Sequence, residues 1–142
     1  MTQANPAATH RLLAVEDDAD CSDLILRTGV RCGYAVRAAV DAEQLRETIQ
    51  EWQPDVITLD LCLPHIDGME VVTLVKESGF SGQLIIISGQ ADWIRELTSK
   101  IASESGLHVP AHMPKPVDLR QLRELLTGIR ATLPGAPTTQ AG

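Results

Sequence analysis

Residues 84–87 read LIII. Successive side chains of a strand point to opposite sides of its sheet, so this run is apolar on both faces. A strand of that kind has no face to offer to water. It belongs in a parallel sheet with helices packed over each surface. The run sits inside QLIIIS (83–88), and RLLAV (11–15), YAVRAA (34–39), DVITLD (55–60) and LHVPAHM (107–113) also read as strands. Each is followed by an amphipathic stretch, so strand and helix alternate five times.

The helical stretches carry their own punctuation. CSDLILRTGVRCG (21–33) places Leu24, Ile25 and Thr28 at helical spacing and stops at Gly33. DAEQLRETIQEW (41–52) opens on a capping box, Asp41 to Gln44, with Val40 and Leu45 as a hydrophobic staple. MEVVTLVKES (69–78) and DWIRELTSKIASES (92–105) follow, the second stopped by Gly106. DLRQLRELLTGIR (118–130) repeats the box with Asp118 and Gln121, and the staple with Val117 and Leu122. YAVRAA alternates as an edge strand does, and Pro110 also suits a sheet edge. Right-handed crossovers leave few ways to assemble five such units. The expected fold is α/β: a flavodoxin-like, doubly wound (βα)5 domain with parallel sheet order 2-1-3-4-5.

The chain has 142 residues, the size of one domain, and can bury roughly 70% of its unfolded surface without a disulfide or structural metal. Aromatic residues are 3%, so the core must be aliphatic. The net charge of −7 argues against nucleic acid as a direct partner, because phosphate backbones are bound mainly by Lys and Arg. Cys21, Cys32 and Cys62 form no CxxC or zinc spacing, and an odd count points to a reducing compartment. The leading MTQANPAATHR has no apolar core of a signal peptide, and no apolar run approaches the roughly 18 residues of a membrane span. The expectation is a cytoplasmic protein: a disordered tail at 1–10, one domain at 11–131, and a flexible tail or linker stub at 132–142.

In such a sheet ligands bind beyond the carboxyl ends of the strands. The first strand ends in Glu16, Asp17 and Asp18, the third in Asp60 and the fourth in Ser88, and the fifth is followed by Lys115. One aspartate after a strand is usually a turn former or helix cap, the reading preferred for Asp18, Asp20, Asp67 and Asp92. Independent turn residues would not fall together at the ends of four strands. Carboxylates so close raise each other's pKa unless a cation joins them. Lys115 is the one basic residue nearby, so a hard divalent cation is the economical solution. Mg²⁺ takes a few carboxylates plus water and phosphate oxygens. A metal, a free carboxylate, a hydroxyl and an amine together make a phosphoryl-transfer centre.

AVEDD (14–18), DLCLPHIDG (60–68), IIISG (85–89) and MPKP (113–116) stand in order on the right elements. With them the chain resembles a response-regulator receiver domain of two-component signalling over about residues 10–131. The resemblance implies Asp60 as phosphoacceptor, and Glu16 and Asp17 as the acidic pair that holds Mg²⁺ with Asp60 and the carbonyl of Cys62. It implies Ser88 as the switch hydroxyl, Lys115 as the lysine that pairs with the carboxylate or phosphoryl group, and a peptide bond before Pro116 that is often cis. The implied partner is a sensor histidine kinase or phosphotransfer protein. An output domain or second copy would engage the surface made by the helix at 92–105, the strand at 107–113 and the helix at 118–130. The expectation is that the domain itself binds no nucleic acid or membrane and that its only chemistry is its own phosphoryl transfer and dephosphorylation.

Two features depart from the family pattern. His112 stands where a rotating Tyr or Phe is usual, and it is either a switch residue or an exposed edge-strand residue. The segment from Ser88 to Lys115 is longer than usual and resembles receivers fused to cyclic-di-GMP phosphodiesterase domains. Cys62 reads as a small hydrophobe beside the site, with a redox role as the minority reading, and Trp52 and Trp93 as partly buried helix residues, unless Trp93 is exposed and marks a partner surface. A haloacid-dehalogenase-type phosphatase is excluded by Cys62, which stands where that class needs a second Asp. A phosphate-independent pseudo-receiver and a single-domain phosphorelay adaptor stay open as alternatives.

Overall fold

The computed structural model describes residues 9–135. Strands and helices alternate throughout: β1 (His10–Val15), α1 (Ala19–Arg31), β2 (Tyr34–Ala39), α2 (Ala42–Trp52), β3 (Val56–Asp60), α3 (Gly68–Glu77), β4 (Gln83–Ser88), α4 (Asp92–Glu104), β5 (His108–Pro114) and α5 (Leu119–Thr132). All pairings are parallel, in the order β2-β1-β3-β4-β5. The two-sided apolar strands behave as expected. Leu84, Ile85, Ile86 and Ile87 are all at most 1% exposed.

Alternate strand residues feed two separate cores. Leu13, Val15, Ile57, Leu59, Leu84 and Ile86 meet residues of α2, α3 and α4 on one side. Leu12, Ala14, Val56, Ile85, Ile87 and Met113 meet α1 and α5 on the other. The edge strands are β2 and β5. The register of β5 against β4 slips between Gln83 and Ile85, opposite the stretch holding Pro110, whose ring nitrogen cannot donate to the ladder.

The helix boundaries differ in detail from the pattern reading. α1 begins at Ala19 because Asp18 caps it, accepting from the amides of Asp20 and Cys21. Leu24, expected on its buried face, is 46% exposed, and Ser22, Ile25, Thr28 and Gly29 are buried instead. Gly33 ends this helix at φ +91°, a conformation that favours glycine. α2 has its cap from Asp41 to the Gln44 amide, but the Gln44 side chain returns to the amide of Val40. Val40 stays 45% exposed, so the expected staple leaves much of it in water. The complete reciprocal box is one the pattern reading passed over: Asp67 and Glu70 at the start of α3.

The ends of the domain are tied together. His10, assigned to the leading tail by composition, is the first residue of β1 and 3% exposed. The carbonyl of Pro134 accepts from its Nε2 at 2.8 Å. α5 likewise runs to Thr132. The rest of both expected tails lies outside the described residues. Among the described residues no helix is long and apolar enough to cross a membrane.

Candidate functional site

Register alone brings the acidic groups together. Val15 pairs with Leu59, so the next residues along, Glu16 and Asp60, share one end of the sheet. Asp60 pairs with Ile87 and Ser88 with Pro114, which puts Ser88 and Lys115 one step beyond the same edge. The Lys115 amide donates to the Ser88 carbonyl at 3.1 Å. The Lys115–Pro116 peptide bond is cis.

Lys115 Nζ lies 2.7 Å from Glu16 Oε1 and donates to Asp60 Oδ2 at 3.1 Å. The contact to Glu16 is a close ion pair to a buried oxygen. The other Glu16 oxygen accepts from the amide of Asp18 at 3.1 Å. Asp60 Oδ1 accepts from the amide of Cys62 at 2.9 Å. Glu16 and Asp60 are 2% and 3% exposed, whereas Asp17 is exposed.

Burial is the main force on these groups. It pushes the Glu16 carboxyl above its ordinary value, and the neighbouring Asp60 adds to the push while Lys115 opposes it. Burial pulls the Lys115 ammonium down, but the carboxylates of Glu16 and Asp60 outweigh it and the net shift is upward. Lys115 therefore stays charged and offsets only part of the negative charge.

One oxygen each from Glu16, Asp17 and Asp60 lies within 4.8 Å of the others, a group that could hold a metal ion. Lys115 already sits against Glu16 Oε1, so a bound cation would share that oxygen with the ammonium or displace it. An all-oxygen set with one exposed member suits Mg²⁺, which keeps several waters.

The loop after Asp60 explains its own composition. Leu61 and Leu63 turn inward at 1% and 6% exposed, so Cys62 between them turns out. Cys62 does stand beside the site, its amide touching Asp60, but not as a buried hydrophobe, since the residue is exposed. The thiol that borders the acidic group is Cys21, which residue spacing gave no reason to single out. Burial, and then Glu16 beside it, push it up to about 12.

Of the aspartates read as caps, Asp18 and Asp67 are N-caps. Asp92 pairs instead with Arg95 inside the first turn of α4, whose N-cap is Ala91. Trp93 takes the exposed alternative rather than the partly buried one: it is 66% exposed, because α4 buries Arg95, Thr98 and Ala102 on the opposite face. Trp52 is half-buried beneath the guanidinium groups of Arg11 and Arg37, at 5.7 and 4.9 Å. His112 lies on β5 next to Met113, which packs toward α1 and α5, so its ring faces the α4 side. It is half-buried, and its Nδ1 has no hydrogen-bond partner.

A doubly wound sheet with three acidic groups, a buried serine and a lysine at one end matches a family. Residues 12–127 match the response regulator receiver domain, and the chain belongs to that family, the receiver part of response regulators in two-component signalling. It is similar to the response regulator MprA of Mycobacterium leprae, 29% identical over 123 residues, covering 87% of this chain and 50% of that protein. The chain thus spans about half the length of the curated relatives it matches. Among solved structures it resembles a CheY-like receiver domain protein from Methanospirillum hungatei JF-1, with a TM-score of 0.72 and 25% identity over 84% of this chain and 92% of that one. It also resembles the N-terminal domain of an uncharacterized protein from Wolinella succinogenes, with a TM-score of 0.72 and 28% identity over 86% and 94% of the two chains.

Proposed function

We propose that Asp60 accepts a phosphoryl group from a phosphohistidine on a sensor kinase or phosphotransfer protein, or from a small phosphodonor. The observation that carries this is the buried Asp60 carboxylate, held by the Cys62 amide on one oxygen and the Lys115 ammonium on the other. Both contacts hold the carboxylate in one orientation, which is what an attacking nucleophile needs. An Asp60 oxygen attacks phosphorus, the new P–O bond forms as the P–N bond breaks, and the electron pair leaves with the imidazole. Glu16, Asp17 and Asp60, with the Cys62 carbonyl, would hold Mg²⁺, which supplies charge neutralisation for the phosphoryl oxygens. Lys115 and the Ser88 hydroxyl take the remaining oxygens.

The signalling surface in this reading is α4, β5 and α5. Trp93, Leu97 and Ile101 lie one helical turn apart on α4 and are 66%, 50% and 37% exposed, an apolar stripe suited to an output domain or a second copy. The test of the phosphoacceptor is direct. Incubated with acetyl phosphate and Mg²⁺, the protein should gain the mass of one phosphoryl group, and Asp60→Ala should gain none. Equal gain in both would refute the assignment.

A further inference from the structure

Behind Ser88, three contacts in series tie the site to α4. The Gln90 amide donates to Ser88 Oγ at 3.1 Å. The Gln90 carbonyl accepts from Arg95 Nη1 at 2.8 Å. Arg95 Nη2 donates to Asp92 Oδ1 at 2.6 Å. The guanidinium is not a surface group: Arg95 is 5% exposed, and its Nε is buried without a partner. A buried charge with an unpaired donor is costly, and an apolar side chain of similar length would fill the space without that cost. What such a side chain could not do is grip the carbonyl of Gln90.

We propose that Arg95 is a positioning residue for Ser88, latching the turn at 89–91 and relaying its movement to α4. The proposal rests on the reading of Ser88 as a ligand of the phosphoryl oxygens. Ser88 is 0% exposed and its oxygen already accepts from Gln90, so turning toward a group on Asp60 breaks that bond or draws the turn along. In the second case the Gln90 carbonyl moves against Arg95. Because Arg95 is anchored on α4, the first turn of that helix moves as well. Trp93 lies in that turn with its ring in solvent, where a partner can sense the change.

The latch is tested in the unphosphorylated protein first. Amide exchange at residues 89–96 should be about tenfold faster in Arg95→Gln, the scale of losing a charge-assisted hydrogen bond. Asp92→Asn should change it in the same direction by less. The Asp92 side chain is 81% exposed, so that variant keeps the fold and decides the matter even where Arg95→Gln does not fold. In a Trp52→Phe background, beryllofluoride should change Trp93 emission, and the Arg95 substitution should blunt that change while acetyl phosphate still labels Asp60. Unaltered exchange at 89–96 in the folded variants, or a full Trp93 response without Arg95, overturns the proposal. Wild-type protein that responds to neither phosphodonor nor beryllofluoride would instead refute the phosphoacceptor reading, and the exchange rates would still judge the latch.

Discussion

Lys115 Nζ lies 3.1 Å from Asp60 Oδ2, although Asp60 ends β3 and Lys115 follows β5, with β4 between those strands. The same ammonium is the one cation paired with Glu16 among the described residues. Removing it leaves two buried carboxylates facing each other. Lys115→Met should therefore lower metal-free stability by about 1–3 kcal/mol, below the usual cost of breaking a fully buried pair because the lysine is 25% exposed. Mg²⁺ should recover more stability in this variant than in the wild type. Urea melts with and without Mg²⁺ check both, and equal Mg²⁺ stabilisation in the two proteins would count against the geometry.

Asp17 is the exposed member of the acidic group. Asp17→Asn should weaken Mg²⁺ binding at least tenfold, or about 1.4 kcal/mol, while the fold stays as stable or gains a little from relieved repulsion. Titration calorimetry and thermal melts read the two effects separately. A melting temperature lowered by several degrees would mean that Asp17 has a structural role the geometry does not show.

The raised pKa of Glu16 has a definite sign. The folded protein holds that proton more tightly than the unfolded chain, so this group's contribution to stability is present at acid pH and is lost as pH rises through the folded value. Below the folded value Mg²⁺ has to displace that proton, so its affinity should climb until pH passes that value, which lies above the ordinary 4.5, and Glu16→Gln should flatten the climb. An unchanged slope in the variant would assign the proton to another group.

The cysteines should separate by reactivity. Cys62 is exposed, whereas the Cys21 thiol is partly buried and pushed up to about 12. A thiol reagent at mildly alkaline pH should modify Cys62 first and Cys21 slowest, since the thiolate is the nucleophile. Mass mapping of the modified peptides gives the order, and rapid labelling of Cys21 would contradict the packing beside Glu16.

Much of the site was legible because parallel register does the assembling. Once β1, β3, β4 and β5 are recognised from their apolar runs, the residues at their carboxyl ends must meet, and Glu16, Asp60, Ser88 and Lys115 follow. Asp41 and Asp118 were readable as caps because a glutamine stood three residues on. What escaped was anything that ran against residue type. A tryptophan in a helix reads as partly buried, but Trp93 faces away from the sheet. An arginine reads as solvent-facing, but Arg95 is buried on the same face of α4 as Thr98 and Ala102, where Gln90 and Asp92 offer it oxygens. His10 read as tail because polarity hid the one hydrogen bond, to Pro134, that buries it.

The most direct measurement is the chemical location of the phosphoryl group. After incubation with acetyl phosphate and Mg²⁺, borohydride reduces an aspartyl phosphate to homoserine, which peptide mass spectrometry then places in the chain. Homoserine at position 60, absent without Mg²⁺ and absent from Asp60→Asn, is the expected result. Homoserine at position 17 instead, or trapping undiminished in Asp60→Asn, would contradict the assignment of Asp60 as the phosphoacceptor.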